Sequence, residues 1–243
     1  MRNALLASTL AGLATGLGGL LICIVPRVSR RWYDTLLGFS AGVMLATGSI
    51  SLLWPALQRD GLGQVSLGLA AGGTLIYLLE RVIPHLEPHF APQLSGPHKS
   101  LGLLLAAALT LHHIPEGLAI GVAFAGGGTS VGLLVAASIA IQNIPEGLAV
   151  AMPLRAAGLE RWKAFVGATA SGLGEPLAAA LGVWFVSLVG PIVPFALALA
   201  AGAMIFVASD QLIPESRQQP EAKAPSVGLM LGFLCVTILS HFI

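Results

Sequence analysis

Charge is what this sequence has least of. Only 9% of its 243 residues are Asp, Glu, Lys or Arg, against roughly 25% in a soluble domain. With 56% hydrophobic residues and a mean hydropathy of +0.86, that shortage excludes an ordinary soluble fold and makes the chain an all-α integral membrane protein. The formal net charge is +1, so there is no basic field to attract nucleic acid. Cysteine is almost absent. Cys23 and Cys235 both lie inside apolar runs and read as small buried hydrophobes rather than a disulfide. A signal-peptide cleavage site is missing as well. The N-terminal run is a full span long and ends at Pro26-Arg27 without small residues leading into a soluble domain, so it reads as an uncleaved first helix.

What is present is a series of long apolar runs, read as one transmembrane domain over residues 1–243. Spans are expected at approximately 4–25, 35–58, 62–80, 100–125, 130–154, 164–189, 192–210 and 225–243. The stretch from Ser100 to Leu154 is too long for one helix, since roughly 20 residues cross a bilayer. Gly126-Gly127-Gly128-Thr129-Ser130 divides it. Gly190-Pro191 and Pro194 divide the stretch from Ala164 to Ser209 in the same way. The loops expected between spans include Arg27 to Asp34, Pro84 to Lys99 with four prolines and three histidines, and Asp210 to Ala224. Trp32, Tyr33 and Trp54 are expected in interfacial belts, and the small residues of 11–19 and 68–73 at close helix contacts.

Eight spans put both termini on one side. With the loops after spans one, three, five and seven in the cytoplasm, that side holds Arg27, Arg30, Arg31, Arg81, Lys99, Arg155, Arg161, Lys163, Arg217 and Lys223, and the other only Arg2 and Arg59. The bias sets both termini on the non-cytoplasmic side of the cell (inner) membrane.

Two related phrases lie deep in this apolar sequence. His112-His113-Ile114-Pro115-Glu116-Gly117-Leu118-Ala119 is answered thirty residues later by Gln142-Asn143-Ile144-Pro145-Glu146-Gly147-Leu148-Ala149. At a rise of about 1.5 Å per residue, His112, Glu116, Asn143 and Glu146 fall about 18–24 Å into their spans, and Glu175 about 17 Å into span six. Polar groups at that depth are costly and mark function. On antiparallel helices the two phrases meet near one level, which suggests an inverted repeat around a midplane site. His112 and Glu116 share a helical face at i, i+4, as do Gln142 and Glu146, while Asn143 and Glu146 stand at i, i+3. Pro115, Pro145 and Pro176 lack N–H groups and free the carbonyls of Leu111, Ile141 and Gly172. Glu116, Glu146 and Glu175 lie within spans, yet no Lys or Arg does. Either these carboxylates carry protons or a cation sits among them. Carboxylates, imidazole and carboxamides without thiolate suit zinc, iron or manganese.

The doubled phrase resembles the ZIP (Zrt/Irt-like) metal transporters, most closely the GufA-like branch. That family has His-Asn-x-Pro-Glu-Gly in the fourth span and a related Pro-Glu-Gly phrase in the fifth. The resemblance runs the length of the chain, through Ser-Gly-Leu-Gly-Glu-Pro in span six and Ser209-Asp210-Gln211-Leu212-Ile213-Pro214-Glu215 in span seven. It implies a three-two-three helix arrangement, a two-metal centre on spans four to six, a homodimer, and movement of divalent metal into the cytoplasm. The cargo would be Zn2+ first, then Fe2+, Mn2+ or Cd2+. By that resemblance His112, Glu116, Gln142 and Glu146 hold one metal, and the position of His113, with Asn143 and the shared glutamates, holds the second. Glu175 bridges, and Met44 lies above the first site. His113 stands where the family usually has Asn, and Asn143 where some members have Asp.

Weaker candidates lie outside this centre. His85, Glu87, His89 and His98 could take up metal on the cytoplasmic side, or belong to a solvated Pro-rich loop. Glu80, Asp210 and Glu215 could line an exit path, or flank helix ends. Two rival functions use similar donors. An intramembrane metal-dependent hydrolase would need an open coordination position and a base, but no His-Glu-x-x-His phrase is present. A proton-linked carrier of another solute is the third reading.

Overall fold

The computed structural model describes residues 1–25, 28–59, 62–90, 111–189, 192–218 and 223–243, with backbone alone for residues 80 and 82–90. In hydrocarbon a backbone must satisfy its own polar groups, so apolar runs coil. Helix α1 spans Arg2–Ile24, α2 Arg30–Arg59 and α3 Leu62–Phe90. Helix α4 runs over His113–Val122 and ends in a π-helical turn, Ala123–Gly127. Gly128, at φ 89° and ψ −178°, then reverses the chain in a conformation essentially restricted to glycine. Helix α5 spans Thr129–Ala156. Helix α6 comprises Arg161–Gly172 and Gly174–Val189, broken at Leu173. Helices α7, Val193–Ser216, and α8, Ala224–Phe242, complete the order. No strand occurs among the described residues.

Helices α1, α2, α3, α5, α6, α7 and α8 are long and apolar enough to cross a membrane. The expected fourth span ends in α4, and most of its first half lies outside the described residues. Large apolar side chains such as Leu6, Leu10, Leu67, Leu177, Leu181 and Met230 cover the outer faces, as a lipid-facing surface requires.

Several expected boundaries are corrected. Helix α2 begins at Arg30, because the Ser29 hydroxyl caps it by accepting from the Trp32 N–H at 3.4 Å. Arg30, Arg31 and Asp34 are therefore on a helix and not in a loop. Tyr33 is 5% exposed with the Arg30 guanidinium 5.1 Å from its ring centroid, so its ring faces the protein, whereas Trp32 and Trp54 are exposed. Helix α3 runs through Pro84 and Pro88 to Phe90, so 84–90 is helical. Each proline removes one N–H bond, and the remaining bonds carry the helix on. Residues 91–99 lie outside the described residues. Helix α7 continues past Asp210 to Ser216 through a π-helical stretch, Ala208–Leu212. A similar stretch, Thr47–Leu53, interrupts α2.

The helices pack in two groups of four. Helix α2 lies along α8 and α3 along α7, while α1 lies along α5 and α6, and α4 along the second half of α6. Small residues set these contacts. Gly42 faces the backbone of Leu229, Gly72 that of Leu199, Gly12 that of Gly172 and Gly147 that of Thr15, and a Cβ at any of them would strike main chain. The stretches 11–19 and 68–73 thus serve close packing. Cys23 and Cys235 are free and half-buried.

Candidate metal centre

The two Pro-Glu-Gly phrases meet inside the group of α1, α4, α5 and α6. Each begins with side chains that a helix projects on one face. Each ends in a glycine that lets a neighbour come close: Gly117 against the Glu175 backbone of α6, and Gly147 against Thr15 of α1. The repeated glycine therefore brings Glu175 alongside Glu116.

His113, Glu116 and Glu146 are buried, and a ligand atom from each lies within 4.8 Å of the others. His113 Nδ1 is 2.8 Å from Glu116 Oε2 and 3.3 Å from Glu175 Oε1. Gln142 donates through Nε2 to Glu116 Oε1 at 2.6 Å. Asn143 donates through Nδ2 to Glu175 Oε1 at 2.6 Å and to the Ala11 carbonyl at 2.8 Å. The Ser40 hydroxyl of α2 donates to Glu146 Oε1, and Ser171 Oγ of α6 lies 3.3 Å from His113 Nε2. His112 turns its Nε2 to Gln211 Oε1 of α7.

Of the three buried carboxylates, Glu116 and Glu175 thus pair with the one imidazole of His113, and Glu146 lies within 4.8 Å of it. Several kcal/mol per ion is the usual penalty for removing such charges from water. Among the described residues, five polar acceptors at the centre also have no hydrogen-bond partner: His112 Nδ1, Gln142 Oε1, Asn143 Oδ1, Glu146 Oε2 and Glu175 Oε2. Buried acceptors are normally satisfied. Acceptors without donors, around the converging His113, Glu116 and Glu146 and with one imidazole against three carboxylates, could hold a cation through oxygen and imidazole nitrogen.

The other candidates are scattered. Met44 is fully buried on α2 in the main apolar core. Asp210 is exposed on the π-helical stretch of α7, and Glu215 lies near its end. Glu80, His85 and His89 sit on the α3 backbone, but their side chains, and all of His98, lie outside the described residues. Ser40, Ser171 and Gln211 were not singled out from the sequence. Ser171 and Gln211 stand within quoted phrases, so proximity to Glu175 and Asp210 was their one signal. Ser40 had none beyond lying one helical turn before Met44.

The family described as ZIP Zinc transporter matches residues 91–240. The chain is 38% identical to zinc transporter GufA of Myxococcus xanthus, over 98% of each chain. The chain belongs to the ZIP family. It is also 40% identical to zinc transporter ZIPB of Bordetella bronchiseptica, over 93% of this chain and 76% of that one. With human zinc transporter ZIP11 it shares 32% identity over 93% and 92%. This ZIP chain is a multi-pass membrane transporter and not an enzyme, and the hydrolase reading falls. Its doubled phrase builds the buried cluster, and Ser40 of α2 and Gln211 of α7 add contacts to it.

Proposed function

We propose that this chain carries divalent metal ions, zinc foremost, into the cytoplasm through the centre on α4, α5 and α6. The observation that supports it is the set of three buried carboxylates against one imidazole, with acceptors that have no partner among the described residues. His113, Glu116 and Glu146 are the nucleus of the binding position, since their ligand atoms already converge. A second ion, sharing the glutamates, would draw on His112, Gln142, Asn143 and Glu175. The ion sheds its water to carboxylate and imidazole as it enters. Neutral Gln142 and Asn143 hold it without adding charge, which favours release. Asp210 and Glu215 offer carboxylates on the way out.

The basic loops support a cytoplasmic end at the α1–α2 and α5–α6 turns, with both termini outside. Eight spans follow if α4 is the end of a full span. Family membership supports a homodimer. Iron, manganese and cadmium are the competing cargoes, since nothing in the donor set rejects them.

The test is radioactive zinc uptake into proteoliposomes, with and without a proton gradient. Wild type should show saturable uptake, and Glu146→Ala and His113→Ala should fall to the level of empty vesicles. Uptake unchanged in both variants would remove the site from the pathway. Tight zinc binding by wild type without movement would overturn zinc as cargo.

A further inference from the structure

At the end of the molecule where α5 turns into α6, a cavity of about 190 Å³ opens between Ile22, Val25, Val28, Met152, Arg155 and Arg161. We infer that this cavity binds the phosphate headgroup of an anionic phospholipid. It shares no lining residue with the metal centre, and its charge has the wrong sign for the cargo.

Neither arginine is in a salt bridge among the described residues. By contrast Arg30 is paired with Asp34 and Glu215, and Lys163 with Glu160. Arg155 gives one N–H to the Leu159 carbonyl, which closes the turn. A guanidinium has five donors in a fixed fork, so most of its capacity remains for a ligand. Two such forks on one cavity suit a phosphate, whose oxygens they can grip in pairs.

The remaining walls identify the source of that phosphate. Ile22, Val25, Val28 and Met152 offer nothing to a free anion, but they suit the glycerol and upper acyl carbons of a lipid. Ile24 and Val25 are exposed beside the cavity mouth. Trp162, next to Arg161, is 64% exposed and lies against Phe165 at 5.0 Å between ring centroids. An exposed tryptophan beside arginines is the usual marker of the headgroup level, and basic pockets between spans are known to take anionic headgroups.

Occupancy bears on the transporter as a whole. Val150, Ala151 and Leu154 of α5 pack on Ala164 and Ala168 of α6, with Ile22 at the edge. A headgroup gripped by Arg155 and Arg161 ties α5 to α6, the helices that carry Glu146 and Glu175. The bound lipid therefore stiffens the joint beneath the metal centre.

The experiment uses the full chain in detergent, with lipid binding read by native mass spectrometry and stability by thermal unfolding. The probes are phosphatidylglycerol, phosphatidylcholine and inorganic phosphate. Phosphatidylglycerol should stay bound and raise the unfolding temperature, and the other two should not. Arg155→Gln with Arg161→Gln should lower phosphatidylglycerol affinity about 30-fold, and each single change about 5-fold. Lys163→Gln should leave it unchanged. Zinc binding serves as the check on folding, and the single variants carry the test if the double variant fails it. Equal binding of the two lipids, or full phosphatidylglycerol affinity in folded arginine variants, would overturn the inference. Stabilisation by inorganic phosphate equal to that by phosphatidylglycerol would overturn the lipid as the source.

Discussion

In the proposed centre Glu116, Glu146 and Glu175 supply the carboxylates, and smaller side chains hold them in place. Ser40 holds one oxygen of Glu146, Gln142 one oxygen of Glu116, and Asn143 one oxygen of Glu175. In each of Glu146 and Glu175 the other oxygen has no hydrogen-bond partner among the described residues. Donors that fix a ligand's orientation typically affect metal affinity by about 10–100-fold when removed. Ser40→Ala should therefore weaken zinc binding by about that factor, measured by competition with a chelating dye, while the helical circular dichroism stays unchanged. The doubled Pro-Glu-Gly phrase marked Glu116, Glu146, His112 and His113 in the sequence, and Glu175 stood out by its depth in span six, because charge without a countercharge inside a span has few explanations. Ser40 and Gln211 were not legible. Serine and glutamine are unremarkable in a span until the fold shows what they face.

At the scale of elements, the phrase combines two jobs. Its glutamate supplies a donor, and its glycine fixes a helix crossing. A Cβ on Gly147 would meet the backbone of Thr15 and Gly19, and one on Gly117 would lie 2.7 Å from the Ala178 Cβ. Gly147→Ala should cost about 1–3 kcal/mol by forcing α1 off α5, seen as a lower thermal midpoint. Zinc affinity should fall with it, since Asn143 loses its bond to the Ala11 carbonyl. The apolar runs predicted the helices well, but not their ends. Helix α2 starts early because Ser29 caps it. Helix α3 passes two prolines, and α7 absorbs Asp210 and Pro214 by changing its winding. Polar and proline residues read as loop signals only when nothing else satisfies the backbone, and these helices keep most of their own bonds.

For the whole molecule, the metal centre sits in the group of α1, α4, α5 and α6. The group of α2, α3, α7 and α8 touches it through Ser40 and Gln211. This grouping could not be read from the sequence, because it depends on which glycines meet which backbones. Bound metal should stabilise the fold by about 2.7 kcal/mol at a hundred times its dissociation constant. Zinc should accordingly raise the unfolding temperature of the wild type, a chelator should reverse the shift, and Glu146→Ala should show neither effect.

The most direct test of the buried centre is zinc K-edge X-ray absorption on the loaded protein. The account predicts a first shell of oxygen and nitrogen at about 2.0–2.2 Å, with imidazole scattering that is lost in His113→Ala. A sulfur shell at about 2.3 Å, or a spectrum identical in wild type, His113→Ala and Glu146→Ala, would contradict it.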